Sequence, residues 1–92
     1  MPTVRGKSLK AICFDIAEGY IAVNPLFLKS LDEDSLKGLY HEISKIQVEI
    51  RGEKFPHGDT QAIRWRNSRL QRLYSALMII RNFARERRII LI

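Results

Sequence analysis

The chain has 92 residues and a mass of 10.7 kDa, room for a single domain spanning 1–92. Its 46% hydrophobic and 28% charged residues exclude general disorder and fit a folded globular protein. No apolar run approaches the roughly 18 residues of a membrane-spanning helix, no secretory leader is expected, and the lone Cys13 excludes an internal disulfide. A cytoplasmic location follows as the expectation.

The net charge of +6 is unevenly placed. Residues 1–30 carry +2, residues 31–60 carry −3, and residues 61–92 carry +7, with eight arginines against the single Glu86. A basic third of this kind either meets an external polyanion or lies against the acidic middle of its own chain.

Residues 10–16 and 20–24 are apolar runs flanking Ala17-Glu18-Gly19. Alternation places Ile12, Phe14 and Ile16 on one face, and a three-residue loop ending in Gly fits a turn with positive φ. The pattern predicts a short β-hairpin over about 10–24, which must pack on something to be stable.

Asn24-Pro25 starts a turn of helix over 25–29, with Asn as cap and Pro at the first helical position. Ser30-Leu31-Asp32-Glu33 then matches a capping box. The helix that follows runs to about Arg51, with Leu36, Leu39, Tyr40, Ile43, Ile46 and Ile50 recurring every three or four residues.

Gly52 to Gly58 breaks the periodicity, and Asp59 is suited to cap a second helix over about 60–88. Ile63, Leu70, Leu73, Tyr74, Leu77, Ile80 and Ala84 form one stripe on it. A connection this short makes the two helices an antiparallel αα-hairpin, and the chain mainly α. The apolar tail Ile89-Ile90-Leu91-Ile92 is expected to be covered, as a strand or by packing on the N-terminal hairpin, with pairing to 10–16 as the specific form.

The second helix carries more apolar surface than one neighbour covers. Trp65, Ala76, Ile79 and Phe83 fall roughly opposite the first stripe. Either the N-terminal segment or a second copy must bury them, and both together predict a homodimer with a four-helix core. These four residues are then the dimer or partner surface.

Among the arginines, Arg69 and Arg72 lie near Trp65 on the helical wheel, a basic patch in which Arg64, Arg69 and Arg72 suit phosphate contact and Trp65 base stacking. The eight together do not share one face, and Glu42, Glu49 and Glu53 on the first helix offer internal partners. No helix-turn-helix, zinc-finger or RNA-binding signature accompanies them.

Catalytic chemistry is thin. Cys13 has no adjacent His and reads as a buried thiol. His41, His57 and Cys13 make no zinc spacing, and Asp32-Glu33-Asp34 lacks the glycine of a calcium loop. No phosphate-cradling loop or nucleophile elbow is present, so neither cofactor nor metal is expected. Arg66, Gln71 and Arg81 are the only raw material for an active site around an anionic metabolite. The sequence thus points to a non-enzymatic interaction or assembly protein that presents helical surface to a protein partner. The alternatives are a small basic dimeric nucleic-acid-binding or regulatory protein and, third, a small helical enzyme.

Overall fold

The computed structural model describes residues 3, 4 and 6–91, and over these the chain is mainly helical. Two short strands, β1 (Thr3–Val4) and β2 (Lys7–Ser8), pair antiparallel across Gly6, which takes a φ of 75°. Four helices follow: α1 (Leu9–Ala17), α2 (Pro25–Lys29), α3 (Glu33–Gly52) and α4 (Thr60–Glu86).

The hairpin expected over 10–24 does not form. Residues 10–17 belong to α1, and 18–24 are irregular. Ser8 caps the helix, its side chain accepting from the Ala11 N–H at 3.2 Å. Leu9, Ile12, Cys13, Ile16 and Ala17 are buried, a spacing of three and four. Phe14, which the strand pattern placed beside Ile12 and Ile16, is 46% exposed. The alternation of Ile12, Phe14 and Ile16 was coincidental, because the same stretch also carries a complete helical stripe and an N-cap.

Gly19 does adopt the positive φ expected of it, 83°, but as a helix terminator. The Gly19 N–H reaches the Ile16 carbonyl at 3.1 Å and the Tyr20 N–H reaches the Asp15 carbonyl at 2.8 Å. Those two bonds are the Schellman pattern that closes a helix with a left-handed residue.

α2 occupies 25–29 as expected, with Asn24 accepting from the Phe27 N–H at 2.8 Å. The capping box at Ser30 is not used. Ser30 ends α2, its hydroxyl donating to the Phe27 carbonyl, and α3 is capped by Asp32, which accepts from the Ser35 N–H at 2.6 Å. Those Ser35 hydrogen bonds hold the Asp32 carboxyl below the usual range.

α3 buries Leu36, Leu39, Ile43, Ile46 and Ile50, with Tyr40 partly covered. Gly38 sits inside this helix where it costs about 1 kcal/mol of propensity. The contact explains it, since a Cβ there would lie 2.5 Å from Leu9 Cδ1. Asp59 caps α4 through the Ala62 N–H. α3 and α4 run antiparallel, shown by Tyr40 meeting Arg81 near one end and Glu53 meeting Arg69 near the other.

α1 packs on both α3 and α4, and α2 packs on α4. Helix α4 is therefore covered on two sides. Leu73, Leu77, Ile80 and Ala84 are buried, and so are Ala76 and Phe83 from the other stripe. Tyr74, counted in the first stripe, is 56% exposed at its outer edge. The tail residues 89–91 form no strand, since 10–16 is helical and offers no edge. Ile89 and Leu91 pack against the core and Ile90 stands exposed, while Ile92 lies outside the described residues.

Candidate functional site: the groove beside helix 4

The irregular segment 18–24 runs past α4 and leaves a groove of about 430 Å³ between them. Its floor is aliphatic: Ile16, Ile21, Val23, Ala76 and Ile79. Ser68, Gln71 and Ser75 along α4 supply hydroxyl and amide groups, and Arg72 supplies the only charge in the lining. The volume falls within the range of ordinary ligand and peptide pockets. No group of three or more metal-ligating side chains occurs among the described residues.

Local chemistry fixes the groove's end. The Arg72 Nη1 donates to the Ala17 carbonyl at 3.0 Å, one of the carbonyls that the end of α1 leaves unpaired. The guanidinium also passes close over Gly19, where an added Cβ would lie 3.2 Å from Arg72 Cζ. Trp65 Nε1 donates to Glu18 Oε2 at 3.1 Å. Two side chains of α4 thereby grip the C-terminus of α1, and a cation there is favoured by the helix dipole.

The sequence patch of Arg64, Trp65, Arg69 and Arg72 is only partly brought together as a free surface. The Arg69 guanidinium lies 4.2 Å from the Trp65 ring centroid, 3.9 Å from Glu53, and its side chain is 15% exposed. Arg72 is committed to Ala17 as above. Arg64 is exposed and Trp65 is 51% exposed. Of the three glutamates expected to meet arginines, Glu53 does so through Arg69, and no ion pair joins Glu42 or Glu49 to an arginine among the described residues.

The four residues of the second stripe divide likewise. Ala76 and Phe83 are buried within the chain, Ile79 is half-buried at the groove floor, and Trp65 remains at the surface. Within the chain, then, Ala76 and Phe83 are covered without a second copy, while Trp65 and part of Ile79 are not.

The candidate enzyme residues stand apart. Arg66 lies over the Phe55 ring at 5.3 Å, Gln71 lines the groove, and Arg81 donates to the Tyr40 hydroxyl at 3.0 Å. Cys13 is fully buried, and its thiol is pushed from the ordinary 9.0 up to about 12 by burial and then by the Glu42 carboxylate. A thiol held neutral is no nucleophile.

Sequence reasoning missed the groove because one of its walls, with Ile21 and Val23 on the floor, comes from 18–24, whose path no periodicity encodes. Comparison with protein-family models, with curated proteins and with solved structures finds no match. No helix among the described residues is long and apolar enough to cross a membrane.

Proposed function

We propose that the chain is a non-enzymatic interaction protein that takes a short, acidic, amphipathic segment of a partner protein into the groove between α4 and 18–24. The observation that carries this reading is the aliphatic floor with Arg72 at its edge. Apolar side chains of a partner helix would fill the floor, and its carboxylates would meet the basic side of α4. Arg64 stands one turn before Ser68 on that side and extends the charge. Charge also selects the occupant. A second copy would bring the +7 third of one chain against the same third of another, whereas an acidic segment complements it.

Net charge alone favours the nucleic-acid reading, but within the chain Arg69 is engaged against Trp65 and Glu53, and Trp65 with Glu18. A homodimer remains a proposal with the oligomeric state in solution as its test.

The experiment is fluorescence anisotropy with labelled amphipathic peptides sharing one Leu/Ile stripe and differing only in Glu or Lys flanks. The Glu-flanked peptide is expected to bind at least about tenfold tighter. Ser75→Trp, which fills the exposed rim of the groove, is expected to abolish that binding while leaving the circular dichroism spectrum unchanged. Equal binding of both peptides, or full binding by Ser75→Trp, contradicts the proposal.

A further inference from the structure

A second concavity, of about 630 Å³, lies at the far end of α4 between that helix, Tyr40 of α3 and the tail. Its floor is apolar, formed by Ala84, Ile89 and Leu91. Arg81, Arg85 and Arg88 line it, and no carboxylate does among the described residues. Arg81 and Arg85, four residues apart, share one side of α4, and Arg88 joins them from just past the helix end. None of the three makes an ion pair with a described residue. Arg81 donates to the Tyr40 hydroxyl, and Arg85 donates to Asn82 Oδ1 at 2.7 Å. Both retain further N–H donors.

The helix dipole accounts for cations near a C-terminus, but not for where Arg88 sits. α4 ends in the same motif as α1. The Ile89 N–H reaches the Ala84 carbonyl at 2.8 Å and the Arg88 N–H reaches the Arg85 carbonyl at 3.2 Å. In α1 the left-handed position of this motif is Gly19, while in α4 it is Arg88, at a φ of 58°. A Cβ-bearing residue is disfavoured there, and glycine is the usual occupant. Arg88 thus lines a concavity with no carboxylate among its described lining residues, from a position whose backbone conformation disfavours a Cβ. Strain of this kind is a pointer to a functional position.

We propose that Arg81, Arg85 and Arg88 bind the phosphate of a soluble phosphate monoester whose apolar or aromatic body rests on Ala84, Ile89 and Leu91. Phosphate fits better than carboxylate, because a dianion with three terminal oxygens matches three guanidinium groups. A free monoester and a lipid headgroup share this phosphate chemistry, and the vesicle arm of the test separates the two.

The test is calorimetric titration with 1-naphthyl phosphate in a phosphate-free buffer. Wild type is expected to bind it and to ignore 1-naphthol. Arg85→Gln and Arg88→Gly should each weaken binding by at least about tenfold. Arg88→Gly should at the same time raise Tm, since glycine relieves the left-handed position, so lost binding cannot be ascribed to unfolding. Absence of binding by wild type, equal affinity in both variants, equal binding of 1-naphthol, or binding seen only with phosphatidic acid vesicles would overturn the proposal.

Discussion

The Arg72 guanidinium closes the last turn of α1 from a different helix, donating to the Ala17 carbonyl at 3.0 Å while lying against Gly19. Gly19 turns the chain at a φ of 83° and has no Cβ to keep the guanidinium away. The same pair shapes one end of the groove, which ties the stability of α1 to the proposed docking surface.

Replacing Gly19 by Ala should therefore cost about 1–2 kcal/mol from the left-handed backbone alone. Arg72→Ala should cost about 1 kcal/mol for a lost hydrogen bond to a helix end. Urea unfolding of both single variants and the double variant should show less than additive losses, because they act on one contact. Strict additivity would mean that Arg72 does not brace this turn.

Helix α1 makes a prediction that separates it from a strand. Ile12→Ala should cost about 2–5 kcal/mol, the loss for a large aliphatic side chain in a packed core. Phe14→Ala should cost under about 1 kcal/mol, because its ring is already partly in water. A strand with Ile12 and Phe14 on one buried face would make the two losses comparable.

The long helices were legible because their stripes are long and their caps local. Asp59 and Asn24 read correctly from cap chemistry, and the Leu36-to-Ile50 series from spacing. α1 was not, because over nine residues Ile12, Phe14 and Ile16 satisfy a period of two while Leu9, Ile12, Cys13, Ile16 and Ala17 satisfy the helical one. Ser8 and Gly19, the two ends, were the signals that should have decided it. The excess apolar surface on α4 was correctly read as needing cover, whereas which element supplies that cover depends on tertiary packing. The arginines misled as a group: scattered around the wheel as eight, they resolve into ones that brace the fold, such as Arg72, and ones that face outward, such as Arg88.

Cys13 should resist alkylation by iodoacetamide in the folded protein and react readily in urea. The thiol is raised in the folded state, from 9.0 to about 12, so the neutral form contributes stability that is complete below about pH 9. That contribution should fall away as pH rises towards 12. Compared with Cys13→Ala across this range, wild type should lose stability faster. Parallel curves would mean the thiol is not buried as described.

Asp32, not Ser30, should carry the α3 cap. Asp32→Ala should lower Tm more than Ser30→Ala does. The Asp32 carboxyl is held below its ordinary value, so its contribution is present above the unfolded value and is lost as pH falls through the folded one. The Tm gap between wild type and Asp32→Asn should accordingly shrink in acid, and a gap independent of pH would contradict the assignment.

The most direct test of the proposed role sets the two classes of partner against each other in one assay. Anisotropy would be read for the Glu-flanked peptide, a labelled single strand and a labelled duplex, from about 50 to 200 mM salt. The groove proposal predicts that the peptide stays bound at the upper salt, since its aliphatic face carries much of the affinity, and that nucleic-acid binding is weak and gone by about 150 mM. Micromolar nucleic-acid binding that persists at the upper salt, with the peptide unbound, would contradict it.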